Sequence, residues 1–263
     1  MRFLTRSSWA LATLRRRKAP LALTALVVCG TIGCERDPGR ERAGQPVGGV
    51  VAVLNRSALA DAPFPGQFCG GALIGPSTVI TAAHCVARGS PDIDVIVGAD
   101  NLCAGRPVDG HRLTVRAIHV DPAYDPATGQ ADIATLELDG SDTDPPLAIG
   151  TVTDGARLVA YGWGARSAGG VPSCRLEAVH LTAVATDTCL ETITGDRPFD
   201  PQTMICATPT ARDADTCTGD SGGPVVLADR AILVAVVSWG LGCGSGVPGV
   251  YARADRLVAP SPP

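Results

Sequence analysis

The sequence predicts an all-β fold made of two packed β units. Among its 263 residues are 31 Gly and 21 Pro, a composition that favours many short strands joined by turns over a few long helices. From residue 50 onward, short β-branched or alternating segments recur between turn signals, as in β-sandwiches and barrels. A polar, proline-containing stretch, Asp139–Pro146, divides these segments into two groups of similar size.

Composition narrows the class of protein further. Hydrophobic residues make up 45% of the chain and charged residues 18%, which is enough apolar material for a core and excludes general disorder. The 22 basic residues are outnumbered by 26 acidic ones, giving a net charge of −4. A chain with this balance lacks the basic surface that binds phosphate backbones, so we expect no nucleic acid partner.

The first element in chain order is an export signal. Basic residues are concentrated in the first 18 positions, and the uncharged hydrophobic run Ala19–Gly33 follows them. As a helix this run would reach only about 22 Å, short of the roughly 30 Å hydrocarbon core of a membrane. We therefore expect residues 1–33 to be a cleaved signal peptide.

The signal ends in a possible lipidation site. Thr31-Ile32-Gly33-Cys34 resembles the lipobox of bacterial lipoproteins, in which the cysteine is acylated and becomes the new amino terminus. The alternative is ordinary secretion, with Cys34 incidental. Residues 34–46 are charged and lack apolar periodicity, so they are expected to be a tether or activation segment. We therefore expect the protein to be secreted or held in the cell envelope. Any membrane attachment would be through a lipid on Cys34.

The folded domain is expected over residues 47–259. Its predicted strands are Val50–Leu54, Thr78–Thr81, Val95–Val97, Leu113–Val120, Ile133–Leu138, Arg157–Tyr161, Leu176–Ala185, Val225–Leu227, Ile232–Trp239 and Val250–Arg253.

Eight cysteines remain once Cys29 and Cys34 in the leader are set aside. An even number in an exported chain predicts disulfides, although eight cysteines allow 105 pairings. The chain has no Cys-x-x-Cys or His-x-x-x-His spacing, which argues against zinc. We predict no metal and no cofactor.

One serine lies in a setting suited to a nucleophile. Ser221 is surrounded by glycines in Gly219–Pro224, and glycines let a substrate carbonyl approach the main chain closely. The same string also fits the nucleophile elbow of α/β-hydrolases. In that fold the histidine follows the serine, whereas all four histidines here precede Ser221, so the elbow is excluded.

A base and its partner can be chosen from the remaining residues. His84 lies among small residues next to Cys85, whereas His111, His119 and His180 have no such setting. Asp132 begins an apolar strand, where a carboxylate must be paired or solvated, and a histidine N–H would pair it.

Taken together, these motifs resemble the trypsin/chymotrypsin family of serine endopeptidases. The resemblance implies two six-stranded antiparallel barrels, at about residues 47–145 and 146–251, with a His84, Asp132 and Ser221 triad between them. It implies an oxyanion hole at the N–H groups of Gly219 and Ser221. The matching strings, in family order over about 200 residues, are Cys69–Ile74, Thr81–Cys85, Asp132–Ala134, Gly162–Gly164, Gly219–Pro224, Val237–Gly240 and Pro248–Tyr251.

The resemblance also implies a substrate. Asp215 occupies the floor of the family's primary pocket, where an aspartate selects Arg or Lys, and Gly240 and Gly249 match its open walls. Ser238, Trp239 and Gly240 match the segment that pairs with an extended substrate backbone, so polypeptides are the expected substrates. We expect the enzyme to be a monomer. A catalytically silent relative that only binds another protein is the alternative.

Disulfide pairings are carried over in the same way. The family pattern implies Cys69–Cys85, Cys189–Cys206 and Cys217–Cys243, and we predict Cys103–Cys174 for the two that remain. The family's calcium loop does not carry over, because residues 97–102 lack its pair of glutamates.

Activation is the point at which the sequence departs from the family. There, a cut releases an Ile-Val-Gly-Gly terminus whose amine pairs with the aspartate before the nucleophile, here Asp220. The closest string, Pro46–Gly49, has no basic residue before it. We expect a poorly active precursor that is cut within Arg36–Arg42, the alternative being that Asp220 finds another donor without a cut.

Overall fold

A computed structural model describes residues 40–42, 47–59, 63–87, 92–103, 110–211 and 214–257. The predicted signal peptide, Cys34 and Arg36 lie outside the described residues, so the expectations about them stay predictions. Within the described part of the chain, no helix is both long and apolar enough to cross a lipid bilayer.

The described residues form fourteen strands and little helix. The helices are α1 (Ala83–Val86), α2 (Thr186–Thr192) and two 3-10 turns at Phe64–Gly66 and Ala254–Leu257. The strands are β1 (Arg40–Arg42), β2 (Val50–Asn55), β3 (Gln67–Gly75), β4 (Thr78–Thr81), β5 (Ile93–Val97), β6 (His111–Val120), β7 (Ala134–Leu138), β8 (Ala148–Ile149), β9 (Arg157–Gly162), β10 (Glu177–Ala183), β11 (Met204–Pro209), β12 (Pro224–Leu227), β13 (Ile232–Trp239) and β14 (Gly249–Arg253).

Strands β2–β7 close into the first barrel, in the order β2-β3-β4-β7-β6-β5, with every pair antiparallel. In β7, alternate residues are fully buried, as expected when one face of a strand points into a barrel. Branched aliphatic residues such as Val53, Leu73, Val79 and Leu136 fill the interior.

Strands β9–β14 close into the second barrel. Its order is β9-β10-β11-β14-β13-β12, and β12 pairs back to β9. The short strand β8 adds to β13 in parallel. The predicted fold of two six-stranded antiparallel barrels is confirmed.

Strand β1 lies within residues 34–46, the expected tether or activation segment. Its residues pair with β10 in the register Arg40 to Val179 and Arg42 to Glu177. On β10, strand β11 pairs only from Leu181 onward. Strand β1 therefore fills the part of that edge that β11 leaves open, and the folded unit begins before residue 47.

Four disulfides stabilise the barrels, in the predicted pairing. Cys69–Cys85 ties β3 to α1, Cys189–Cys206 ties α2 to β11, and Cys217–Cys243 lies in the second barrel. Cys103–Cys174 closes a loop with a sequence separation of 71 and connects segments flanking the two barrels. In the chain-entropy account, loops of these sizes contribute on the order of 3 to 4 kcal/mol each.

Candidate active site

His84 and Asp132 form a hydrogen-bonded pair on the first barrel. His84 lies in α1, directly after β4, and Asp132 precedes β7, the strand that pairs with β4. The main-chain N–H of His84 donates to Asp132 Oδ1 at 2.8 Å, and His84 Nδ1 lies 2.7 Å from Oδ2. This geometry directs the Nδ1–H of His84 toward the Asp132 carboxylate and leaves Nε2 as the acceptor atom of the neutral ring.

The Asp132 carboxylate is buried and well hydrogen-bonded. Ser238 Oγ, in β13 of the second barrel, donates to Oδ2 at 2.5 Å. Burial is the largest influence on the pKa of Asp132 and raises it. The hydrogen bonds from His84 and Ser238 outweigh burial, so the pKa lies below its ordinary value. The carboxylate is thus held in its charged form beside the imidazole.

Ser221 is fixed by close main-chain contacts to the first barrel. Its carbonyl accepts a hydrogen bond from Gly70 N at 2.7 Å. The following residue, Gly222, has φ +78°, and a Cβ there would lie 2.3 Å from Thr81 Oγ1 and 2.5 Å from Gly70 O. Glycine at 222 is therefore required both by conformation and by space. These close contacts hold Ser221 against strand β3.

Two main-chain N–H groups beside Ser221 are available to a ligand. Thr218 O accepts from Ala165 N at 2.9 Å, and because a trans peptide points its N–H away from its carbonyl, Gly219 N–H faces the opposite direction. Within the described residues, neither Gly219 N nor Ser221 N donates to a protein acceptor. Paired N–H donors of this kind suit a developing oxyanion.

His84 and Ser221 are neighbours, although no hydrogen bond joins Ser221 Oγ to His84 among the described residues. Cys85 Sγ lies 3.8 Å from the Ser221 carbonyl oxygen and 3.8 Å from His84 Nε2. Nucleophile-to-base contacts are often long without substrate and shorten in the complex. The sulfurs of Cys69 and Cys85 come near His84, but they are joined in a disulfide and cannot serve as thiolate ligands for a metal.

A pocket of about 300 Å³ opens beside Ser221. Gly240 and Gly249 form part of its wall, where a Cβ on Gly240 would point toward Gly249 Cα at 3.9 Å. The Cys217–Cys243 disulfide closes another side. The absence of side chains at both glycines leaves room for a long, narrow substrate side chain.

Asp215 is the one charged residue among the described residues that line this pocket. It is 5% exposed and accepts hydrogen bonds from Thr216 N at 2.8 Å and Gly244 N at 2.9 Å. Buried Tyr251 lies below, its hydroxyl 3.1 Å from Thr216 Oγ1. Burial is the main reason why the pKa of Tyr251 lies above its ordinary value, so this residue is a neutral neighbour of the carboxylate.

Asp220 is a third buried carboxylate, 2% exposed. Gly164 N donates to Oδ1 at 2.8 Å and Cys217 N to Oδ2 at 2.9 Å. A Cβ on Gly162 would lie 2.2 Å from Oδ1, and one on Gly164 would lie 2.5 Å from Cγ. The two glycines of the Gly162-Trp163-Gly164 motif therefore make room for this side chain.

Trp239 borders the pocket. The sequence did not indicate two residues that lie next to it, Gly129 and Arg197. A Cβ on Gly129 would lie 2.9 Å from Trp239 Nε1, and the Arg197 guanidinium lies 5.6 Å from the centroid of the indole ring. Arg197 also donates weakly to the carbonyls of Pro126 and Ala127. No local pattern in the sequence links these three loops.

Other residues of the site also lacked a sequence signal. Ala165 acts through its main-chain N–H, which any residue except proline provides. Ala131, next to Asp132, has φ +49°, a left-handed conformation that is costly for alanine and that the local sequence does not suggest.

A buried carboxylate, an imidazole and a serine grouped beside two available N–H donors are typical of hydrolases with a serine nucleophile. Comparison with known proteins agrees with this class. The Trypsin family model matches residues 39–259. This chain therefore belongs to the trypsin family, and it is a serine endopeptidase.

Individual relatives show how far the similarity extends. Trypsin of Saccharopolyspora erythraea is 35% identical over 194 residues, covering 71% of this chain and 82% of that protein. Trypsin 5G1 of Aedes aegypti is 35% identical over 196 residues, covering 71% of each. The solved structure of Vibrio cholerae VesB protease superposes with a TM-score of 0.70 at 29% identity, covering 85% of this chain and 66% of that one.

Proposed function

We propose that this endopeptidase cleaves polypeptides after Arg or Lys, using Ser221 as nucleophile, His84 as general base and acid, and Asp132 as the residue that orients His84. The observation that carries the specificity is the pocket with Asp215 and Ser221 in its lining. A guanidinium or ammonium can pair with this carboxylate, whereas an apolar side chain would leave a buried charge uncompensated.

The proposed reaction assigns one role to each of these side chains. His84 Nε2 accepts the Ser221 Oγ proton as Oγ attacks the scissile carbonyl, and the carbonyl electrons form an oxyanion held by Gly219 N and Ser221 N. The tetrahedral intermediate collapses, the C–N bond breaks, and His84 returns the proton to the leaving amine. Water, deprotonated by His84, then attacks the acyl-enzyme, and the collapse of the second intermediate releases the acid and restores Ser221.

The electrostatics support these roles. Asp132, lowered in pKa by its hydrogen bonds, stays ionised and stabilises the imidazolium that forms on His84. Asp215 and Asp220 keep main-chain donors on their oxygens and so supply fixed negative charge. The charge of Asp215 binds the substrate and that of Asp220 orders the nucleophile loop.

A peptide panel tests the specificity. Matched substrates that differ only in the residue before the cut should be cleaved after Arg and Lys in clear preference to Phe or Ala. The variant Asp229→Ser, which changes an exposed aspartate, should retain the same preference and serves as the control for Asp215→Ser. A preference of the native enzyme for Phe or Ala would refute the assignment of Asp215.

Labelling tests the nucleophile separately from the specificity. An organophosphonate probe with a small leaving group should attach to Ser221, and peptide mapping by mass spectrometry identifies the modified residue. Mature protein with its four disulfides intact that stays unlabelled would overturn the proposed triad.

Activation is part of the same proposal. We expect cleavage within Arg36–Arg42 to release an amine that pairs with buried Asp220 and to separate the enzyme from any lipid on Cys34. Strand β1 contains Arg40 and Arg42, so a cut after either requires β1 to leave β10. N-terminal sequencing of fully active enzyme decides this, because full activity with residues 34–42 attached excludes the switch.

Export and anchoring complete the proposal. Four disulfides are typical of proteins in an oxidising compartment outside the cytoplasm, which supports export. We expect Cys34 to carry the lipid and the released enzyme to be a monomer. Detergent phase partitioning of the native chain and of Cys34→Ser tests the anchor, and light scattering tests the mass.

A further inference from the structure

Gln67 connects the first barrel to the nucleophile loop of the second. It is the first residue of β3 and is half-buried. Its side-chain nitrogen donates one proton to Cys69 O and the other to Gly219 O, each at 3.0 Å, and Gly219 lies 152 positions away in sequence. Because both acceptors are carbonyl oxygens, the nitrogen of the amide must face them, and its two N–H groups are both used.

The Gly219 carbonyl is a sensitive place for such a contact. Gly219 has φ +98°, a conformation that strongly favours glycine, so no side chain restricts its torsions. The peptide plane before it is fixed by the hydrogen bond from Ala165 N to Thr218 O. The peptide plane after it is fixed by Asp220 N, which donates to Cys217 O, and by Gln67 at the carbonyl.

The same end of β3 forms further contacts with the nucleophile loop. Gly70 N donates to Ser221 O, and a Cβ on Gly70 would lie 2.8 Å from Gly223 Cα. The first is a main-chain contact, and the second requires glycine at position 70, since even a Cβ would clash with Gly223. Gln67 is the side chain in this docking whose chemical identity matters, because only a donor of this length bridges two carbonyls.

We propose that Gln67 is a positioning residue for the oxyanion hole: it holds the peptide plane after Gly219 while Ala165 holds the plane before it, and together they keep the Gly219 N–H in the direction in which it meets the tetrahedral intermediate. The inference rests on the proposed role of Ser221 and Gly219. It assigns to the first barrel a part in stabilising the oxyanion, in addition to supplying the base. Gln67 does not touch the substrate pocket, so its effect should appear in the transition state and not in substrate binding.

The test uses two variants of the full mature enzyme. Gln67→Met keeps the length of the side chain without its donors, and Gln67→Glu places a carboxylate against two carbonyl oxygens. The exposed Gln202→Met serves as the matched control. Each is assayed for kcat and KM on the best substrate of the peptide panel, for inhibition by benzamidine or another pocket ligand, and for inhibition by a peptide aldehyde of the same sequence.

We expect Gln67→Met to lower kcat about tenfold, less than the hundredfold or more that follows loss of a whole oxyanion donor. KM and affinity for the pocket ligand should change less than twofold, whereas affinity for the aldehyde, which forms a tetrahedral adduct, should fall by the same factor as kcat. The ratio of kcat for Gln67→Glu to that of the native enzyme should rise as the pH falls, because a protonated carboxyl regains a donor.

Unchanged kcat in both Gln67 variants overturns the inference, as does a loss of pocket-ligand binding equal to the loss of kcat. A shift in melting temperature alone, with native kcat and aldehyde affinity, would show a purely structural role and also overturn it. Native enzyme that neither turns over substrate nor labels at Ser221 would instead overturn the proposed function on which the inference rests.

Discussion

The two barrels hold their site carboxylates in different ways. Asp132, from the first barrel, accepts hydrogen bonds from two side chains, His84 and Ser238. Asp215 and Asp220, from the second barrel, accept from main-chain N–H groups of neighbouring loops. A side-chain donor can gain or lose a proton, whereas an amide N–H cannot. Under the proposed mechanism, we expect the first barrel's pair to take part in proton movement and the second barrel's carboxylates to supply fixed charge.

This difference predicts two kinds of mutant. Changes at the first barrel's pair should lower the rate for every substrate alike. Changes at the second barrel's carboxylates should alter which substrate is cleaved or how the loop is ordered.

The strongest test asks whether the barrels act as one catalytic unit. His84→Ala and Ser221→Ala should each lower kcat about a millionfold, and the double variant should be no worse, because residues that act in one step are not additive. Rates are measured with the preferred peptide and the fold by circular dichroism. Losses that multiply in the double variant would separate the roles of the two barrels.

Asp132→Asn should lower kcat about ten-thousandfold, because an amide stabilises the wrong tautomer of His84. The loss should be equal for Arg and Lys substrates, since Asp132 does not line the pocket. The measurement is kcat/KM on both substrates. A loss confined to one of them would contradict the division between the barrels.

Asp215→Ser should lower kcat/KM for Arg and Lys substrates about a thousandfold, the scale expected when a buried ion pair loses one partner. Labelling of Ser221 by a small organophosphonate should be nearly unaffected. The exposed Asp229→Ser is the control. Equal loss of labelling and peptide cleavage would place Asp215 in the chemistry and not in recognition.

Ser238→Ala sharpens the comparison, because this residue brings the second barrel into contact with Asp132. Its loss removes one hydrogen bond to a charged group and should lower kcat about tenfold. The pKa of Asp132 should rise, since the Ser238 bond contributes to lowering it. A pH profile of kcat records the first effect and NMR titration the second. Unchanged values in both would show that His84 alone sets the state of Asp132.

Acid stability gives the smallest expected effect. The pKa of Asp132 is lowered in the folded state from an ordinary value of 3.8. A lowered carboxylate pKa stabilises the fold fully above the unfolded-state value, and that contribution is lost as the pH falls through the folded-state value. Urea unfolding between pH 6 and pH 2.5 should therefore show native enzyme and Asp132→Asn converging below about pH 4. A difference that stays constant with pH would contradict this.

Much of the fold could be predicted because strands with continuous or alternating apolar residues have a recognisable sequence pattern. Thr78–Thr81 and Ile232–Trp239 were predicted with the bounds that the structure has. Strand β3 was not predicted as a strand because two glycines interrupt its pattern, and β1 was missed because its sequence, Arg40–Arg42, consists of charged residues without an apolar pattern. Main-chain pairing leaves little trace in side-chain type.

The residues of the candidate site also fall into two groups, those that the sequence could indicate and those that it could not. His84, Asp132 and Ser221, the proposed triad, have reactive side chains and could be selected from motifs. Ala165 acts through a peptide group, and Gln67 through a contact 152 positions away that no local pattern encodes. The chemical type of a residue can be read from the sequence, whereas its contacts depend on how the two barrels fold.

Strand β1 makes the edge of the second barrel sensitive to cleavage after Arg40 or Arg42. A cut after Arg40 or Arg42 would break the strand that covers Glu177–Val179, and the main-chain groups of β10 would then face solvent along an open sheet edge. Open edges recruit strands from other molecules, the first step of edge-to-edge aggregation. An activating cut after Arg40 or Arg42 would therefore also be expected to promote self-association through the exposed edge of β10, unlike a cut after Arg36, which leaves strand β1 in the chain.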